Sequence, residues 1–96
     1  MSLTEARLVG SMQSTKGAQM SRSQKLQWYA GQLMQDAAVA EKTGNTETAV
    51  SAYLNASDIL LLLAKVEENY NAWKSYTDKA EYCQQKAKGL IAQRPE

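Results

Sequence analysis

The chain has 96 residues, enough for one domain with a single modest core. It has no His, one Cys and one Pro. That excludes an internal disulfide, a Cys-based zinc site and histidine acid–base chemistry. The formal net charge is +1, unevenly divided: residues 1–22 hold Arg7, Lys16 and Arg22 against Glu5, and the remainder carries a small excess of acids. The folded part therefore lacks the basic footprint of a nucleic-acid binder.

In chain order, residues 1–22 are dominated by Gly, Ser, Thr and Gln, with scattered apolar positions. They read as a disordered leader or linker, with a short docking peptide as the functional alternative. A first helix is expected from Ser23, as its cap, to about Thr43. Its apolar stripe is Leu26, Tyr29, Ala30, Leu33, Ala37 and Ala40, at spacings of three and four. Trp28, Met34 and Ala38 lie beside that stripe, and Gly31 weakens the helix.

Lys42-Thr43-Gly44-Asn45 then reads as a turn. Gly44 and Asn45 are the residue types that enter left-handed conformations most readily. Thr46 is the expected N-cap of a second helix over Glu47–Val66, striped by Ala49, Tyr53, Ala56, Leu60 and Leu63. Ile59 to Leu63 is apolar all round. Such a turn is either contacted on more than one side or partly exposed as a binding surface.

A third helix is expected over about Asn69–Gln93, along Tyr70, Trp73, Tyr76 or Thr77, Ala80, Cys83 or Gln84, Ala87 and Leu90 or Ile91, with Pro95 beyond its end. No Gly or Pro separates the second and third helices. A turn is placed at Glu67–Asn69 because one uninterrupted rod could not bury its own apolar face. The predicted architecture is all-α: an antiparallel three-helix bundle over residues 23–96, built on an αα-hairpin.

The sequence holds little chemistry. Asp36 with Glu41, or Glu67 with Glu68, reads as solvated helix face and not as an acid/base pair. Cys83 sits at a core spacing, where cysteine behaves as a small hydrophobe. Most of the seven aromatic side chains are expected in the core or lining grooves. No catalytic residue, metal or cofactor is expected, and no enzyme. The N-terminus has no continuous apolar stretch, and the longest apolar run, Ile59–Ala64, is too short to span a bilayer. A cytoplasmic protein is expected.

Two segments together resemble a known module. Ala40-Glu41-Lys42-Thr43-Gly44-Asn45, followed by Thr48-Ala49-Val50-Ser51-Ala52-Tyr53, is similar to the first turn of microtubule-interacting and transport (MIT) domains. Tyr76-Thr77-Asp78-Lys79-Ala80-Glu81 resembles the signature on that family's third helix. Tetratricopeptide-type hairpins share the first motif. The resemblance spans about residues 24–92.

The resemblance implies a three-helix bundle that binds short helical or extended peptides, typically C-terminal tails of ESCRT-III filament subunits. The peptides lie in grooves along the third helix. By position, Met34, with Ala38 one turn on, matches the first-helix side of one groove. Thr77 matches the residue facing the other, where the family usually carries Leu. Asp78 and Glu81 match acids that meet basic peptide residues, and Lys74 lies beside them. The stretch of 22 residues between Tyr53 and Tyr76 is shorter than the family's by about two helical turns, so a shorter groove is expected. The implied role is a non-catalytic adaptor in trafficking or membrane remodelling. It would be monomeric rather than dimeric, touch membranes only through its partners, and bind no nucleic acid. The alternative is a self-associating helical module that pairs through Ile59–Leu63.

Overall fold

The computed structural model describes residues 21–93. They form three helices: α1 (Arg22–Lys42), α2 (Thr46–Val66) and α3 (Tyr70–Ala92). The fold is an all-α three-helix bundle with two tight turns. The leader expected over residues 1–22 lies outside the described residues, apart from Ser21 and Arg22, which begin α1.

Capping fixes each helix start. Ser21, not Ser23, caps α1: its Oγ accepts from the Gln24 amide at 3.1 Å, and Gln24 Oε1 accepts from the Ser21 amide at 2.9 Å. This reciprocal box needs a Gln or Glu three residues after the cap, which Ser21 has and Ser23 lacks. At the first turn Gly44 has φ +83°. The Asn45 amide reaches the Ala40 carbonyl at 2.8 Å, and the Gly44 amide reaches that of Glu41 at 3.2 Å. These two bonds are the Schellman closure of a helix by a left-handed residue.

Asn45 then caps α2, with Oδ1 accepting from the Thr48 amide at 3.3 Å. Thr46, the expected cap, is already helical, because the amide side chain one residue earlier reaches the same orphan donor. Gly44→Val forces a β-branched residue into the left-handed region, although a Cβ there meets nothing within 4 Å. The expected cost is about 1–2 kcal/mol, entirely from the backbone, measured by urea denaturation.

The second turn works without Gly or Pro. Glu67 and Asn69 are extended, at ψ 126° and 122°. Glu67 Oε2 accepts from the Asn69 amide at 3.0 Å, and Asn69 Oδ1 accepts from the Ala72 amide at 2.9 Å. Two side chains thus satisfy the amides that a continuous helix would have bonded.

α2 is the central helix: it packs along both α1 and α3, whose contact with each other is far slighter. It is also the one described helix long and apolar enough to cross a bilayer. In the bundle part of that apolar surface goes into two neighbours, and Leu54, Leu61, Leu62 and Val66 stay exposed. Ala49, Ala52, Tyr53, Ala56, Leu60, Leu63 and Ala64 are buried on it. They meet Ala30, Ala37 and Ala40 of α1 and Ala80, Cys83, Ala87 and Leu90 of α3. Ser57 is also buried, and its Oγ accepts from Gln84 Nε2 at 2.9 Å.

The core is therefore mostly alanine, and the helices approach closely. Tyr29, Tyr70 and Trp73 were expected in the core stripes and are exposed instead. Of the rings in the expected stripes, Tyr53 is the one that is buried, at 2% exposure, with its hydroxyl bonded to Glu41. Tyr70 and Trp73 lie against each other, with centroids 5.7 Å apart. The apolar turn of α2 divides in the same way: Leu60 and Leu63 are buried, while Leu61 and Leu62 are 43% and 55% exposed.

Candidate functional site

Two successive antiparallel turns leave α1 and α3 pointing the same way. Their facing residues are related by a constant offset, the one that pairs Glu41 with Lys86 and places Met34 beside Lys79. On α1 the positions Gln27, Gly31, Met34, Ala38 and Glu41 recur at four and three residues, so they share one face. On α3 the matching face runs through Tyr76, Lys79, Cys83 and Lys86.

One end of this furrow is closed. Lys86 Nζ donates to Glu41 Oε2 at 2.7 Å, and the Tyr53 hydroxyl donates to Glu41 Oε1 at 3.0 Å. The Lys86 ammonium also lies 5.9 Å from the Tyr53 ring centroid, and Tyr82 meets that ring edge-on. A carboxylate from α1, a phenol from α2 and an ammonium from α3 thus join all three helices at one point. The sequence reading treated Glu41 as solvated face. Its partners lie 12 and 45 residues away, and no local pattern marks them.

The hydrogen bond from Lys86, then that from Tyr53, holds the Glu41 carboxyl below its usual range. The hydrogen bond to Glu41 holds Lys86 above its own. Burial, then the bond to Glu41, pushes the Tyr53 phenol up. Glu41 favours the folded state once ionised, and this contribution is lost as pH falls below about 4.5 through its folded value. Lys86 and Tyr53 hold their protons more tightly when folded, so their contribution is present at neutral pH and is lost as pH rises above about 10. Thermal melts are expected to fall on both limbs. In Glu41→Gln the acid limb should flatten; an unchanged acid limb would assign it to other carboxylates.

The other end of the furrow is open. Gln27, Ala30, Gly31 and Met34 of α1, Leu60 of α2 and Tyr76 and Lys79 of α3 line a cleft of about 350 Å³. Its floor is apolar, and its rim carries one amide and one ammonium. This is the size and make-up of a pocket for one or two side chains. A Cβ added at Gly31 would meet nothing within 4 Å, so the glycine leaves space in the cleft and is not required by packing. Gly31→Ala is expected to raise stability by about 0.5–1 kcal/mol through helix propensity alone, measured by urea denaturation.

The expected site residues fall into two groups. Met34 lines the open cleft, and Ala38 continues the same α1 face towards the Glu41–Lys86 bridge. Lys74, Thr77, Asp78 and Glu81 are elsewhere, on the side of α3 away from Tyr76 and Lys79. Lys74 pairs with Asp78 at 3.3 Å with both side chains exposed, a bridge of small energetic weight. The Thr77 hydroxyl donates to the Lys74 carbonyl at 3.0 Å, which leaves its methyl group as the surface open to a ligand. Thr77 continues towards Gln84, whose bond to Ser57 marks the α2–α3 seam.

The sequence reading missed Lys79 and Gln27 as cleft residues, and placed Tyr76 only among the aromatics of the core or grooves. Their shared face was visible in the spacing, but which face meets α1 was not. Among the described residues, no group of His, Cys, Asp and Glu could hold a metal ion. Cys83 is buried, and burial pushes its thiol up, away from the reactive thiolate.

No family model, characterised protein or solved structure matches the chain. What the cleft does must be read from its own geometry.

Proposed function

We propose that this bundle is a non-catalytic peptide-docking module of the MIT type, and that the cleft between α1 and α3 is its primary site. The observation that carries the reading is the cleft itself: an apolar floor of Ala30, Met34, Leu60 and Tyr76 beneath a rim of Gln27 and Lys79. A short segment with an apolar anchor and a neighbouring acid fits it, the anchor replacing water on the floor and the acid meeting Lys79. The bridge of Glu41 to Lys86 ends the furrow, so the ligand is short. The resemblance at Glu41–Tyr53 and Tyr76–Glu81 supports tails of the ESCRT-III type as ligands and a cytoplasmic adaptor role.

The exposed Leu61 and Leu62 favour a second reading, self-association through the apolar turn of α2. Titration of the labelled chain with tail peptides bearing an apolar anchor and acids separates the two. Amide and methyl shifts at Gly31, Met34, Tyr76 and Lys79 are expected. No shifts at millimolar peptide, with a concentration-dependent dimer that Leu62→Asp abolishes, would replace the first reading by the second.

A further inference from the structure

The bundle has a second apolar hollow, at the end where α1 begins and α2 finishes. Arg22, Ser23, Leu26, Leu62, Leu63 and Val66 line a furrow of about 300 Å³ between the two helices. Beside it along α1, Lys25, Leu26, Trp28 and Tyr29 line another of about 540 Å³. Leu26 is a wall of both. Trp28, Tyr29, Leu62 and Val66 are all more than half exposed. Large side chains gathered in this way are more than the scattered surface hydrophobics of any protein. No residue lines both this hollow and the cleft of Gly31 and Met34.

Charge and chain path select the occupant. Arg22 and Lys25 border the hollow with one sign of charge. A second copy related by a two-fold axis would bring like charges together there. The chain's own N-terminal segment joins the bundle at this spot, because Ser21 is the cap of α1 and Arg22 and Ser23 line the hollow. That segment carries Leu8, Val9 and Met12, and over residues 3–12 Glu5 is balanced by Arg7, so unlike a second copy it brings no net positive charge to the basic border. From Met12 to Ser21 the chain reaches up to roughly 30 Å. The stretch of α1 from Arg22 to Tyr29 is only about 10 Å long. A tethered segment is present at an effective concentration of about millimolar, so a weak apolar contact suffices to hold it.

We propose that residues 3–12 cover this hollow, seating Leu8, Val9 and Met12 against Leu26, Tyr29, Leu62 and Val66, with Glu5 near Arg22 or Lys25. The test uses the full chain. In a Trp73→Phe background Trp28 is the only tryptophan, and Leu8→Asp, Val9→Asp and Met12→Asp are introduced together. These three positions lie outside the described residues 21–93 that form the bundle, so its thermal transition is expected to remain. The expected result is a red shift of Trp28 emission and stronger acrylamide quenching. The methyl signals of Leu62 and Val66 should move as well, also in the chain that keeps Trp73. Identical emission, quenching and methyl signals in the parent and triple variant would overturn the proposal. Signals that follow protein concentration and ignore the triple substitution would assign the cover to a second copy and overturn it equally.

Discussion

Ala56→Leu is expected to destabilise the bundle by about 3 kcal/mol, at the upper end for an overpacked core position. Ala56 is wholly buried on α2, and so are Ala37 of α1, Ala49 of α2 and Ala80 and Ala87 of α3 at 1% exposure or less. A methyl group at each contact sets a short distance between helix axes. An isobutyl group is three carbons larger than the methyl group that is already fully buried there. It must push a neighbouring backbone outward, which separates the other alanine contacts along the same seam. A bundle of this size has roughly 5–10 kcal/mol in total, so the variant keeps a fold but a weak one. The urea midpoint should fall sharply with its slope little changed. Ala56→Gly is the control: it removes a methyl without crowding and should cost only about 1 kcal/mol, mainly through the backbone. A leucine variant as stable as the glycine variant would show a seam looser than the burial indicates.

The fold was legible in the sequence because its signals were local. Gly44 and Asn45 announced the first turn by their backbone preferences, and the structure places Gly44 at positive φ. Asn69 was read as the cap of the third helix and is so used. The cap assignments that failed, Ser23 and Thr46, missed by two residues and one. Several adjacent side chains could reach the same orphan amides, and only three-dimensional geometry decides among them.

The core was half legible, for a definite physical reason. Spacing identified the right alanines, but hydrophobicity also drew in Tyr29, Tyr70 and Trp73. The alanine contacts leave room for few large side chains: Tyr53, Leu60 and Leu63 of the central helix take it, and Tyr29, Tyr70 and Trp73 stay exposed. Small size was the signal that should have outweighed apolarity. In the candidate site, Met34 was found through resemblance to the MIT family, and its floor and rim were not. The parallel arrangement of α1 and α3 brings Gln27 and Lys79 to one opening from positions far apart in the chain. The same holds for Glu41, Tyr53 and Lys86, whose contacts depend on the packing of all three helices.

Met34→Asp is expected to weaken an anchored acidic peptide by roughly thirtyfold, about 2 kcal/mol. Met34 is half-buried beside the core and lines the cleft over Leu60 and Tyr76. The substitution removes an apolar contact, and docking would then strip water from a carboxylate. It also places negative charge where the ligand brings its own acid to Lys79. The effect on folding is smaller, because without ligand the carboxylate stays hydrated at the open side of the cleft. Lys79→Glu should weaken binding as well, and more steeply at low salt, since the rim contact is partly screened. Glu81→Lys and Asp78→Lys supply the contrast. They alter the side of α3 away from the cleft and should leave affinity within about twofold, the scale of an exposed charge. The four dissociation constants, measured by titration with one peptide at two salt concentrations, decide between the furrows. Losses at Met34 and Lys79 with Asp78 and Glu81 silent place the ligand between α1 and α3. The opposite pattern would move it to the seam of α2 and α3 beside Thr77.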